Sequence, residues 1–274
     1  MEQPAATMAL PRYEYARLRL LPNLVMFGLS LLFGWRRSFA GDGALLMKVN
    51  PFPRRVEGIE NVPESGRFVL VMNHFDRPGL HPYHCAMMVS CFLKQHRPDV
   101  PEVRWTFTSE LHGRRIGPFP IPLSLIRWVF RRIARVYNLV VMPRREELVM
   151  GRAAALRTLL RALDEAPIGI TPEARGSGRL VEPPRGSGLF LLSLARRGVP
   201  FLPVAVWEED TTLVFRFGPP FRLSVPDGLP REGADRLARE RVMTAIGVLM
   251  PPDWWGEYAE AVTRASAAPE AGRG

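Results

Sequence analysis

Phe68-Val69-Leu70-Val71-Met72-Asn73-His74 is the stretch on which the fold turns. Five apolar residues in a row, with no alternation, read as a strand buried on both faces. Such strands belong inside parallel sheets covered by helices on either side. The run ends in a polar cluster, Asn73-His74-Phe75-Asp76-Arg77-Pro78-Gly79, in which Pro78-Gly79 favours a tight turn.

Outward from this strand, short apolar runs alternate with longer periodic stretches. The spacing predicts helices over 82–95, 122–136, 146–165, 187–197 and 232–249, and strands over 103–108, 139–142, 168–171, 201–207 and 213–217. Ile126, Val129, Ile133 and Val136 form one face of the second helix, with Arg127, Arg131 and Arg135 on another. Glu146 and Glu147 fall in the first turn of the third, where the helix dipole favours anions, and Gly198 closes the fourth. A loop is expected around Gly41, Gly43, Pro51 and Pro53. The alternation defines an α/β fold: a layered, largely parallel mixed sheet flanked by helices. Sites in such sheets sit in the loops after the strands.

The chain has 274 residues, is 47% apolar and 23% charged, and carries a formal net charge of +10. That suits one large domain with a sizeable core and a preference for anionic partners. Almost all the positive charge is arginine; Lys48 and Lys94 are the lysines. The basic residues are scattered and no nucleic-acid recognition motif appears, so nucleic acid is not an expected partner. Cys85 and Cys91 lie six apart on one helix, unsuited to a bridge, and two free thiols fit a reducing interior.

Leu20 to Trp35 is an apolar run with Arg17 and Arg19 before it and Arg36 and Arg37 after. It is shorter than the roughly 20 residues that span a bilayer. Two readings stand: a helix lying in the membrane interface with its arginines on lipid phosphates, or a helix packed on the protein's own core. The expected organisation is an N-terminal helical segment over 1–40, a domain over 41–265 and a tail over 266–274.

Three polar clusters follow predicted strands. His74 can act as a general base near neutral pH, and Asp76 is close enough to orient it. The second cluster ends in Met142-Pro143-Arg144-Arg145, where Arg144 just past a strand can hold a phosphate bidentately. The third is Thr171-Pro172-Glu173-Ala174-Arg175-Gly176-Ser177-Gly178-Arg179, whose glycines let a ligand approach the backbone.

Taken in order, Asn73-His74, Val141-Met142-Pro143-Arg144, Pro172-Glu173 and Val199-Pro200-Phe201-Leu202-Pro203-Val204 resemble the four blocks of the PlsC-like glycerol-phosphate/lysophosphatidate acyltransferase family. Phe217-Gly218-Pro219-Pro220 resembles that family's strand-end turn, and the likeness covers roughly 55–225. The resemblance implies O-acyl transfer from acyl-CoA or acyl-carrier protein to a hydroxyl of a phosphorylated glycerolipid such as 1-acyl-glycerol 3-phosphate. It implies His74 with Asp76 as the catalytic pair, and Arg144, Glu173, Arg175 and Gly176 as substrate-binding residues. No metal or redox cofactor is called for. The expected place is the cytoplasmic face of the membrane, peripheral or shallowly inserted, with the lipid surface as a partner.

The chain departs from that pattern. Gly79 stands where the family has Asp, Ala174 where it has Gly, and Gly176 where it has Arg, with Arg175 one place early. Rewired loops, a different lipid or amine acceptor, and a catalytically impaired lipid-binding protein are the three ways to read this. A separate reading takes His74, Asp76, His81, His84 and Cys85 as metal ligands.

Overall fold

The computed structural model of the chain describes residues 17–49, 52–108, 115–116, 119–120, 122–142, 152–174 and 178–267. In chain order the elements begin with helices α1 (Arg17–Phe33) and α2 (Phe39–Val49), strands β1 (Arg54–Glu57) and β2 (Val69–Met72), and helix α3 (Pro82–His96). Strand β3 (Arg104–Thr108), the two-stranded ribbon β4 (Arg115–Ile116) and β5 (Phe119–Pro120), helix α4 (Leu123–Tyr137) and strand β6 (Val140–Met142) follow. Then come α5 (Arg152–Glu165), β7 (Ile168–Ile170), α6 (Ser187–Ala195), β8 (Phe201–Glu209), β9 (Thr212–Phe217), α7 (Arg231–Gly247) and α8 (Ala259–Ala267).

Seven strands make one sheet in the order β1-β9-β8-β2-β7-β3-β6. Every neighbouring pair is parallel except β8 with β9. The expected largely parallel α/β architecture is the observed one. Strand β2 runs through its middle, between β8 and β7, and all four of its residues are buried. Successive side chains of a strand point to opposite faces. Val69 and Val71 therefore join one core, with Leu159, Leu163, Leu191 and Val242 of α5, α6 and α7. Leu70 and Met72 join the other, with Cys85, Met88 and Val89 of α3. An unbroken apolar run is what a strand needs when helices cover both faces.

The expected loop around Gly41 and Gly43 is wrong: both glycines lie inside α2. They read as loop signals, yet Gly43 serves close packing, since a Cβ there would sit 2.2 Å from the carbonyl oxygen of Met87 on α3. Strand β1, an edge strand with half-exposed residues, gave no apolar run to announce it. The predicted start of α5 at 146, with Glu146 and Glu147, lies outside the described residues.

The N-terminal helix lies against α4. Arg37, just past α1, is fastened by several bonds: its Nε donates to Asp42 at 2.9 Å, its Nη2 to Asp42 and Asn23, and its main-chain N–H to the carbonyl of Val136 at 3.0 Å. Tyr137 donates its hydroxyl hydrogen to the same Asp42. Arg37 is thus an inward anchor rather than a hand for lipid phosphate. Phe27 of α1 stacks on Tyr137 at 5.9 Å, while another apolar part of the helix faces outward: Leu21, Leu24, Val25 and Phe33 are 53–64% exposed. Among the described residues no helix is long and apolar enough to cross a membrane.

Candidate active site

The polar clusters after β2 and β7 meet because those strands are parallel neighbours, Val71 opposite Ile170. At the end of β2 the sheet is prolonged by a side chain. Asn73 donates Nδ2–H to the carbonyl of Val206 at 2.8 Å and accepts the N–H of Val206 at Oδ1, at 2.7 Å. Its amide thus mimics one more peptide of the β2–β8 ladder. His74 follows immediately, where the chain leaves the sheet.

The main-chain N–H of His74 donates to the carboxylate of Glu173, in the turn after β7. The other oxygen of Glu173 accepts the N–H of Val181 at 3.0 Å, and the residue is 2% exposed. One buried carboxylate therefore fastens both loops to each other. Both oxygens of Glu173, expected to bind substrate, accept main-chain N–H groups and so hold the two loops in register. The turn around it carries Ala174 at φ 56, a left-handed conformation that glycine adopts most easily. This is the position at which the resembling family has Gly. The fourth block, Val199 to Val204, sets β8 against β2: Val69 donates to the carbonyl of Pro200 at 2.9 Å, and Gly218 to that of Pro203 at 2.9 Å.

Asp76 takes a different partner from the expected one. Arg77 and Leu80 bond each other reciprocally, N–H to carbonyl at 2.9 Å in both directions, with Pro78 and Gly79 between them. Gly79 has φ 84, so this is a turn that needs glycine at its third place. The turn brings its outer neighbours side by side, and Oδ1 of Asp76 lies 3.1 Å from Nδ1 of His81. Asp76, expected to orient His74, thus pairs with His81. Arg144, Arg175 and Gly176 lie outside the described residues.

His81 precedes α3, and its main-chain N–H donates to Nδ1 of His84 at 3.0 Å. Burial, with the neighbouring His81 adding to it, pulls the His84 imidazole down to about 3, so it stays neutral at ordinary pH. The Cys85 thiol is fully buried and pushed far up by burial, which makes it inert. Among the described residues no group of three or more His, Cys, Asp or Glu side chains is placed to hold a metal ion.

Sequence reasoning passed over Arg77, Glu208 and Trp254. Nε of Arg77 donates to the carboxylate of Glu208 at 3.0 Å, at the far end of β8. The Arg77 guanidinium also lies over the rings of Phe75 and Trp254, at 5.2 and 5.1 Å. Trp254 comes from the short turn Pro252–Trp254 near the C-terminus, whose carbonyl accepts the N–H of Leu180 at 3.0 Å. Only the Arg77-Pro78-Gly79 run was visible in sequence; its partners come from elsewhere in the chain.

The arrangement is an α/β protein with polar loops gathered at the ends of adjacent parallel strands. No family model matches the chain, and no curated protein sequence does. Among solved structures, it is similar to the 1-acyl-sn-glycerophosphate (LPA) acyltransferase PlsC from Thermotoga maritima, at 18% identity and a TM-score of 0.49, over 92% of this chain and 95% of that one.

Proposed function

We propose that the protein is an acyltransferase that moves a fatty acyl group from a thioester to a hydroxyl of a glycerolipid-type acceptor. The observation that carries this reading is the tether between His74 and Glu173, which puts the first and third of the four ordered blocks at one place. His74 is the general base. Its Nδ1 is buried, so Nε2 is the nitrogen that takes the proton of the acceptor hydroxyl. The hydroxyl oxygen forms the new ester bond to the thioester carbonyl carbon, the C–S bond breaks, and the thiolate leaves with the proton that the imidazolium returns. A thioester is already activated, so positioning and one base supply what the step needs. Acyl-CoA or acyl-carrier protein is the donor. The exposed apolar face of α1 and the exposed Leu125 and Trp128 of α4 lie against a membrane surface, from which both lipid substrates arrive.

The test is transfer of a radiolabelled acyl group from acyl-CoA, and separately from acyl-carrier protein, to 1-acyl-glycerol 3-phosphate. The expected result is ester formation by the wild type and a loss of at least about 100-fold in His74→Ala, the usual size of a general-base contribution. Equal rates for the two proteins, or no transfer by the wild type to any lipid hydroxyl offered, would overturn the reading.

A further inference from the structure

We infer that a cleft at the opposite end of the sheet from His74 binds a small organic carboxylate, with Arg97 as its counter-charge. The inference is independent of the acyltransferase reading, because it concerns the start of the central strands and not their end.

The cleft lies where three parallel neighbours begin. Phe68, Val103 and Pro167 are the residues just before β2, β3 and β7. Phe68 and His74 stand about 20 Å apart along the extended chain. Two hollows adjoin Arg97: a cleft of about 310 Å³ and a void of about 20 Å³, room for a single water. Arg97, Val100, Pro101 and Pro167 line both.

Arg97 is the residue that lacks a partner. It is 8% exposed, and its guanidinium lies over the Phe68 ring at 5.6 Å. Nε and Nη1 are buried and, among the described residues, have no acceptor. Nη2 donates to the carbonyl of Gly66 at 3.3 Å, long for such a bond. Burial pulls its pKa down, with no acid to offset the shift. A buried cation without a counter-charge is costly, and arginine does not shed its proton to escape that cost. Arg239 shows the usual solution. It is 6% exposed, and its guanidinium is bonded to Asp235 and Glu182.

The cleft has the chemistry for a carboxylate with a short hydrocarbon body. Two carboxylate oxygens match the fork of a guanidinium, and the incoming group replaces the long bond to Gly66. Val100, Pro101, Ala166 and Pro167 supply apolar wall. Arg67 also lines the cleft but is paired with Asp164, and Glu165 is paired with Arg104. Arg97 is left as the cleft's cation to be neutralised. Exposed Glu64 and Asp99 line the same cleft and repel a dianionic phosphate more than a monoanion.

Calorimetric titration and thermal unfolding of the full chain, at fixed ionic strength, use butyrate, butanol and butyl phosphate as probes. Butyrate is expected to bind the wild type and raise its thermal midpoint. Butanol is expected to do neither, and butyl phosphate to bind more weakly than butyrate. Arg97→Met keeps an extended side chain without the charge, and is expected to weaken butyrate at least about tenfold, the size of one charge-assisted hydrogen bond or more. Val100→Trp fills the cleft and leaves Arg97 in place. It is expected to lose butyrate as well, and it decides the matter if Arg97→Met does not fold. His74→Ala should bind butyrate as the wild type does; weaker binding would put butyrate at the other end of the sheet and sink the inference. No saturable butyrate binding by the wild type, as when Glu64 or Asp99 swings in to pair with Arg97, overturns it. So does unchanged binding in either folded variant, or butyl phosphate bound as tightly as butyrate. Butyrate binding by a chain that transfers no acyl group would keep this site and remove the proposed function.

Discussion

The main-chain N–H of His74 and the side-chain carboxylate of Glu173 are bonded across 99 residues of sequence, and the carboxylate also takes the N–H of Val181. Two partly buried main-chain donors thus depend on one side chain. Replacing Glu173 by Gln keeps its size and leaves one acceptor oxygen, while the amide nitrogen faces an N–H it cannot accept. A buried donor left unsatisfied costs about 1–3 kcal/mol. Glu173→Gln should lower the unfolding free energy by that amount, read as a lower urea midpoint at unchanged slope. Acyl transfer should fall with it, because the loop bearing His74 loses its register. A variant as stable as the wild type would show that the tether is not formed in solution.

Restoring the carboxylate of the resembling family at position 79 should not restore that family's dyad. Gly79 has φ 84 in a turn closed by reciprocal Arg77–Leu80 bonds. Any L-residue there is strained by about 1 kcal/mol or more. Gly79→Asp is therefore expected to lose stability and gain no acyl-transfer rate. A rise in rate above wild type would mean that the turn opens and lets the new carboxylate reach His74.

Ala174 presents the converse case. Its φ of 56 is the conformation that glycine tolerates without penalty, and the residue is exposed. Relief of left-handed strain, set against the greater freedom glycine has when unfolded, gives a net gain of about 0.5–1 kcal/mol. Ala174→Gly should raise the thermal midpoint without altering the circular dichroism spectrum. A lowered midpoint would show that the strain is absent.

The central strands and most helices were legible because local pattern and tertiary place agreed. Phe68 to Met72 is apolar throughout and is buried on both faces, so one strand could be read and the parallel sheet inferred. Gly43 misled because a glycine admitting a neighbouring helix looks, in sequence, like one that ends a helix. At the site, the pairing of His74 with the Glu173 turn was legible as two strand-end clusters. The partner of Asp76 was not. It is set by a turn whose closure brings residue 76 to residue 81. Arg77 was hidden for a further reason: its carboxylate and its aromatic ring come from β8 and from the C-terminal region, and no local spacing encodes that meeting.

The apolar face of α1 should govern attachment to lipid. Leu24 is 53% and Phe33 64% exposed, and Phe33 stacks on Trp35 at 5.1 Å rather than on the core. A glutamate at each of these positions removes apolar surface and adds charge that anionic lipid repels. The double variant Leu24→Glu, Phe33→Glu should sediment with vesicles of phosphatidylglycerol and phosphatidylethanolamine far less than the wild type, with an unchanged urea midpoint. Equal sedimentation would assign attachment to another surface.

His84 makes stability fall on acidification. Its imidazole is pulled down to about 3, by burial first and by His81 second, against an ordinary value of 6.5. Between those two values the unfolded chain binds a proton that the folded chain refuses, so the stability of the fold rises with pH across that window and is lost as pH drops through it. At pH 5 the unfolded histidine is almost fully protonated and the folded one is not, which corresponds to about 2 kcal/mol lost relative to pH 7.5. His84→Asn does not titrate, and its Oδ1 can accept the same N–H of His81. The difference in unfolding free energy between wild type and variant should therefore shrink by about 2 kcal/mol from pH 7.5 to pH 5. Parallel pH profiles for the two proteins would mean that His84 is reached by solvent and titrates alike in both states.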